Sequence, residues 1–485
     1  MKPHYEAAGV TLFHGDCLDV LRELPDESVH AVVTDPPYGL SNTDPGHVSE
    51  AITHWTTGDR SFLPSAGGGF MGKAWDEFVP PPAVWDECMR VLKPGGHLLA
   101  FAGSRTIDLM ALSIRLAGFD IRDSIAWLYG SGFPKSMDVA KAVEAHVLVG
   151  GSHTSQKRRA AMGDEYAPSA ATGTFRQVES SMDNVRTTPP SFEPTTDEAK
   201  AWDGWGTALK PAFEPIVVAR KPIIGTVAKN VLAHGSGALN IDAVRTPTTD
   251  PLGGGAQSGS GLTTKSDGWA RPWMADVDAR TAHAERVTAN VEKAESLGRW
   301  PANVVLDESQ ATELDRQAPD TGGSGRASGP SLRGATTAGA AFGARNGLPD
   351  DREPAFYGDR GGASRMFPTF STTDEDWAWE ARVRSLPTFR YEAKAPTSER
   401  PVVDGVAHPT VKPLDLMRWL VRLVTPKGGT LLEPFAGSGT TVEACLREGF
   451  DVIAIEREAD YLPLIEKRIR KDHAQGLDFD WGEAS

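Results

Sequence analysis

Thr34-Asp35-Pro36-Pro37-Tyr38 sets a carboxylate, two prolines and an aromatic ring at the end of the short apolar run Ala31-Val32-Val33. The run reads as a buried strand. Two prolines can neither continue a ladder nor enter a helix interior, so the chain past Asp35 is held in a stiff, extended turn. Two readings suit these residues: a surface loop with a packing Tyr, or a site that grips a flat, amino-bearing ring. A second candidate, Glu433-Pro434-Phe435-Ala436-Gly437-Ser438-Gly439-Thr440, lies about 400 residues later and joins a strand to a helix. Glycines let a backbone approach a ligand closely, and a helix start offers free N–H groups. No Lys precedes Thr440, so this is no Walker loop, and Val442 stands where the dinucleotide fingerprint requires a third glycine. Glu456 closes the strand Val452-Ile453-Ala454-Ile455, 19 residues after Gly437. Alone it is equally an exposed Glu at a strand end, but its place suits hydrogen bonds from ribose hydroxyls. Turn and Glu together favour a nucleoside-bearing cofactor without a strongly bound polyphosphate. S-adenosyl-L-methionine fits that description.

The elements that must position these residues fall into three zones. In the first, residues 1–135, strand-like and helix-like segments alternate. The segment from Ala83 looks like a helix that runs on until Pro94-Gly95-Gly96 ends it, and a buried strand follows from His97 to Ala102. Ile107, Met110, Ala111, Ile114 and Leu116 recur at helical spacing before Gly118, and a strand follows over 121–130. The middle zone, 136–395, is rich in Gly, Ser, Thr, Pro and Ala and reads as long loops. Two islands stand out in it, a strand near 212–220 and the segment 299–308. The last zone, 396–475, returns to alternation: Leu414, Met417, Leu420, Val421 and Val424 share a helical face, and the tail 476–485 follows a charged amphipathic helix. Alternating strands and helices imply a parallel α/β sheet.

Read together, the motifs resemble a known family, the amino-group DNA methyltransferases that carry Asp-Pro-Pro-Tyr. Asp35-Pro36-Pro37-Tyr38 resembles the catalytic motif, and Glu433 to Thr440 the cofactor loop, with Glu433 where Asp is more common. His408-Pro409-Thr410-Val411-Lys412-Pro413 is similar to the segment that contacts the methionine part of the cofactor. Asp16 resembles the acidic residue beside the cofactor adenine. With the catalytic motif first and the cofactor loop second, the order is that of the permuted β group, whose variable zone holds target recognition. The resemblance implies a doubly wound, mostly parallel Rossmann-like sheet built from both chain ends, with a long loop-rich inserted region. It further implies that Asp35 and the Pro36 carbonyl each accept one N–H of an exocyclic amine, aiming its lone pair at the sulfonium methyl. Tyr38 would stack on the base once it leaves double-stranded DNA. Asp rather than Ser before Pro-Pro favours adenine N6 over cytosine N4.

Other classes fit less well. Protein-glutamine methyltransferases with Asn-Pro-Pro-Tyr place the cofactor loop first. Cytosine-C5 methylation requires a Pro-Cys nucleophile, and none of Cys17, Cys88 and Cys445 follows a proline. These three cysteines have no metal-ligand spacing and read as core residues of a cytoplasmic protein; no metal is expected. A net charge of −15 argues against non-specific polyanion binding, though a basic face can coexist with an acidic remainder. Candidates for such a face are Lys157-Arg158-Arg159 and the thread Arg316, Arg326, Arg333, Arg345, Arg352, Arg360 and Arg365. Trp202, Trp205, Trp269, Trp273 and Trp300 are read as core or loop anchors before base-stacking residues. Residues 70–78 are a candidate lid or substrate wall. No apolar run approaches the roughly 18 residues needed to cross a bilayer. A restriction endonuclease partner, or none, and a homodimer are compatible with the resemblance.

Overall fold

A computed structural model describes residues 1–7, 9–40, 44–64, 76–130, 136–149, 192–247, 277–317, 363–367, 369–370 and 400–476. The chain forms two compact units. The first takes Met1–Asn240, Asn303–Glu308 and Phe370–Ser485, and the second Ile241–Ala302 and Ser309–Thr369. The first unit therefore draws on both chain ends and on part of the middle zone.

Its principal elements are, in chain order, β1 (Tyr5–Ala7), β2 (Val10–His14), α1 (Cys17–Glu23), β3 (Val29–Thr34), α2 (Pro45–Thr57), α3 (Pro82–Val91), β4 (Leu92–Phe101) and α4 (Ile107–Leu116). There follow β5 (Asp120–Leu128), α5 (Val139–Val149), β6 (Phe213–Arg220), α6 (Val227–His234), β7 (Val304–Asp307), α7 (Leu414–Val424), β8 (Thr430–Glu433), α8 (Thr440–Glu448), β9 (Asp451–Glu456) and α9 (Leu462–Gly476). The strands lie in the order β1-β2-β9-β8-β3-β4-β6-β5-β7. From β2 through β4 all neighbours are parallel, whereas β6 runs antiparallel to both β4 and β5. Strands from the two ends of the chain meet at β3 and β8, where Leu432 pairs with Val32.

Alternation along the strands sends side chains to opposite faces. Val32, Leu98, Ala100, Leu432 and Ile455 join a core with Leu21 of α1, Trp55 of α2, Trp85 and Cys88 of α3, and Met110 of α4. The intervening Ala31, Val33, Leu99, Leu431 and Ala454 are equally buried, and α7 and α8 pack on their strands. The sheet is thus covered by helices on both faces, as a doubly wound fold requires. The apolar face of α7 buries Leu416, Met417, Leu420, Val421 and Val424, in keeping with the spacing in the sequence.

One boundary differs from expectation. Pro94-Gly95-Gly96 does not stop a helix; α3 ends at Val91 and β4 already starts at Leu92. Between the pairs Val29↔Leu92 and Ala31↔His97 the register shifts, so the three residues form an irregularity within the strand. Gly95 takes φ +79 there, and the freed Pro94 carbonyl accepts hydrogen bonds from Asn230 Nδ2 (2.8 Å) and Ser236 Oγ (2.7 Å). Proline is tolerated in a strand at such a break.

The second unit contains the helices Val277–Leu297 and, from Ser309 on, Glu308–Gln317, which the loop-like composition of the middle zone does not announce. Thr246 and Arg299 exchange backbone hydrogen bonds at 3.0 and 2.8 Å beside Gly298, whose φ is +93. Asp315 accepts from the Ser364 amide and hydroxyl, both at 2.7 Å.

Candidate active site

The Gly-rich turn follows β8 and opens α8. Gly437 and Gly439 adopt φ +52 and +78. A Cβ on Gly439 would lie 3.0 Å from the Ile465 backbone, and one on Gly437 3.1 Å from the His408 ring. Only glycine suits such close approach in this conformation. Arg468 of α9 fastens the turn: its Nε donates to the Ser438 carbonyl at 2.9 Å, and its Nη1 pairs with Glu443 of α8. His408 Nδ1 is bonded to Thr410, and the His408 ring meets Tyr461 edge-on at 4.6 Å, which lays the 408–413 segment over the glycines.

Glu433 ends β8 inside the protein. Thr34 Oγ1 of the adjacent β3 and the Phe435 amide (3.0 Å) donate to its Oε1, and Thr441 Oγ1 donates to its Oε2 at 2.6 Å. Burial pushes its carboxyl up to about 8, against the pull of these donors. Glu433 is therefore a bolt between β3, the turn and α8. Glu456 ends β9, and its oxygens accept the Gly437 and Glu458 amides, each at 2.7 Å. Burial raises its carboxyl to about 7. Asp16 caps α1 by accepting the Leu18 amide at 2.9 Å.

Asp35 follows β3. Its Oδ1 accepts the Tyr38 hydroxyl at 2.8 Å, and its Oδ2 pairs with Lys412 Nζ. Glu214, in β6, joins them: its Oε2 is 3.3 Å from the same Tyr38 hydroxyl and 3.7 Å from Lys412 Nζ. Burial and the neighbouring Asp35 charge drive the Tyr38 phenol well above its ordinary range. The loop backbone is pinned as well. Buried Asp76 accepts the Tyr38 amide at 2.7 Å and the Gly39 amide at 3.2 Å, while Thr106 Oγ1 donates to the Tyr38 carbonyl at 2.7 Å.

These groups share one cleft of about 1000 Å³. Of the residues the sequence singles out, Asp16, Asp35, Pro36, Pro37, Tyr38, Thr410, Lys412, Glu433, Phe435, Ala436, Gly437, Ser438, Thr440 and Glu456 all line it. Pro413 and Gly439 do not; Pro413 precedes α7, its carbonyl accepting the Met417 amide at 3.1 Å, and Gly439 packs on Ile465. Lys412, placed by resemblance at the methionine part of a cofactor, makes its ion pairs with Asp35 and Glu214.

Sequence reasoning did not single out Glu214, Thr106 or Arg468, and it took Asp76 only as part of the 70–78 lid or substrate wall, of which Asp76 and Phe78 line the cleft. Glu214 leaves one trace, an acidic residue ahead of the apolar run Pro215 to Ala219. The partners that give these residues meaning are far away in the chain. Trp202, Trp205 and Trp300 are not core residues, being 44, 61 and 65% exposed. The first two form an edge-on pair at 5.2 Å, and the Arg245 guanidinium lies 5.1 Å over Trp300. Trp269, Trp273, Lys157-Arg158-Arg159, the arginines from Arg326 to Arg360 and residues 70–75 lie outside the described residues. Arg316 pairs with Glu313 on its own helix. Among the described residues no group of His, Cys, Asp or Glu could hold a metal ion, and no helix is long and apolar enough to cross a membrane.

A family model described as DNA methylase matches residues 29–467. Among curated proteins, the chain is 25% identical over 247 residues to the type II methyltransferase M.HindIII of Haemophilus influenzae, covering 47% of this chain and 64% of that protein. It is 37% identical over 127 residues to the type II methyltransferase M2.LlaDCHI of Lactococcus lactis subsp. cremoris, covering 26% and 44%. The chain thus spans less than two thirds of the length of these relatives. The solved M1.HpyAVI complex with S-adenosyl-L-methionine aligns over 95% of this chain and 98% of that one at 12% identity with a TM-score of 0.33.

Proposed function

The chain belongs to the DNA methylase family, and from that premise we propose that it transfers a methyl group from S-adenosyl-L-methionine to the exocyclic amine of a base flipped out of double-stranded DNA. The observation that carries the proposal is the meeting of two half-sites in one cleft. Asp35 leaves β3 and the glycine turn leaves β8, and these strands are direct neighbours.

The residues suit such a cofactor. Gly437 and Ala436 line the cleft with no bulky side chain, and Glu456 presents a carboxylate beside Gly437 for ribose hydroxyls. Asp16 lines the same cleft. When bound, the cofactor supplies an electrophilic methyl on a sulfonium. Everything else falls to the chain. An amine conjugated to a ring is a poor nucleophile, because its lone pair is delocalised. Asp35 and the Pro36 carbonyl each accept one N–H, which turns the lone pair out of the ring plane and orients it. Asp76 and Thr106 hold the loop backbone so that both acceptors stay in register. Pro36 is buried and Asp35 partly so, which reduces competition from water for the acceptors.

Adenine N6 is the preferred target, on the resemblance of Asp35-Pro36-Pro37-Tyr38 to the adenine enzymes; cytosine N4 is the alternative. The middle zone is assigned to target recognition. The test is labelled-methyl transfer to plasmid DNA, followed by modification-sensitive sequencing. The expected result is label on one base in a fixed sequence context, N6-methyladenine rather than N4-methylcytosine. Asp35→Ala should cut transfer at least about a hundredfold while cofactor binding persists. Binding of cofactor and DNA without any label would instead mark a silent DNA-binding module, and equal loss of binding and transfer in Asp35→Ala would make Asp35 structural.

A further inference from the structure

We propose that Glu214 is a positioning residue that offers the Lys412 ammonium a second carboxylate, so that Asp35 is released to the target amine when the base enters. The inference rests on the methyl-transfer reading. As the site stands, both Asp35 oxygens are engaged, Oδ1 by the Tyr38 hydroxyl and Oδ2 by Lys412. An ammonium seated on Oδ2 weakens that oxygen as an acceptor for an amine N–H. It also sets a positive charge beside a nitrogen that becomes more positive as its bond to the methyl carbon forms. The Asp35–Lys412 pair is therefore a resting arrangement.

Lys412 has little choice of where to go. It is buried, and its Nζ lies 4.8 Å from the Phe101 ring centre and 5.4 Å from that of Tyr38. Removing a buried ammonium from its partner is strongly unfavourable unless a second anion receives it. Glu214 Oε2, 3.7 Å from Nζ, is that anion, and small torsional changes at the end of the lysine side chain close the gap. Glu214 itself is fixed: it is buried, and in β6 it pairs with Trp127 of β5. Its second neighbour, the Tyr38 hydroxyl at 3.3 Å, stays within reach of both carboxylates throughout the exchange.

The test is a double-mutant cycle on the full chain, with kcat and KM for DNA measured by methyl transfer and cofactor Kd measured directly. With its charge removed, Glu214→Gln leaves Lys412 on Asp35, so kcat should fall about ten- to a hundredfold while KM and cofactor Kd hold. Against Lys412→Met, where no ammonium needs a second seat, adding Glu214→Gln should cost less than about twofold. Glu214→Asp keeps the charge and should retain most of kcat; it also serves if the amide variant does not fold. Additive losses from Glu214→Gln and Lys412→Met overturn the inference alone, as does equal damage from Glu214→Asp and Glu214→Gln. A wild-type protein that transfers no methyl group removes the parent reading and this inference with it.

Discussion

Glu433 and Glu456 end strands that lie side by side, and burial pushes both carboxyls upward, to about 8 and about 7. The consequences differ because their surroundings do. Glu433 is enclosed by its own protein donors, so its titration acts on stability. Folded, it keeps its proton to about 8 against an ordinary value of 4.5, so between these pH values the folded state binds more protons than the unfolded one. Its contribution is complete below the lower value and is lost as pH rises through the higher. The urea midpoint should therefore fall as pH is raised from about 5 to 8, and Glu433→Gln should flatten that slope. Glu456 faces the cleft, and ribose hydroxyls donate to it best when it is ionised. Cofactor affinity should then weaken by about tenfold for each pH unit below about 7, and Glu456→Gln should be weaker but nearly pH-independent. Calorimetric titrations at several pH values decide this, and a flat wild-type profile would remove Glu456 from the ribose contact.

The elements show where local sequence is informative. Strands β3 and β8 and helices α7 and α8 are readable because short apolar runs or a helical stripe stop at Gly or Pro, and β9 because its apolar run stops at the charged Glu456-Arg457; each stop is a local event. The start of β4 is not readable: Pro94-Gly95-Gly96 is a helix stop in most settings, and only Asn230 and Ser236 make it an irregular strand. The roles of Glu214 and Arg468 are hidden for the same reason, since their partners arrive only with folding. Arg468 gives this a measurable form. Glu443 and Arg468 are 1 and 5% exposed, and the guanidinium bridges α9, α8 and the glycine turn. Arg468→Ala should destabilise the protein by roughly 1.5–3 kcal/mol in urea unfolding, because buried Glu443 loses one of its two guanidinium partners and keeps only Arg447. Cofactor affinity should drop alongside, since the Ser438 carbonyl loses its tether. Replacing both partners with apolar residues should recover much of the stability. Gly439→Ala, at φ +78 and against Ile465, should cost about 1–2 kcal/mol from backbone strain alone.

In the first unit as a whole, the sheet is completed by strands from opposite ends of the chain. β8 and β9 fit between β2 and β3, so a chain lacking them would leave two central strands with bare edges. A fragment of residues 1–240 should show no cooperative melting by itself, and neither should 400–485; co-expressed, the two should purify together. A sharp transition from the first fragment alone would contradict this. The site is split in sequence for the same reason that it is whole in space. Its two halves hang from β3 and β8, whose separation is fixed by backbone hydrogen bonds at about 4.8 Å. The sheet is in this respect a ruler with one graduation. However long the chain that runs between the two motifs, and however it varies, the gap between the residues proposed to hold the methyl donor and those proposed to hold its acceptor starts from the same length.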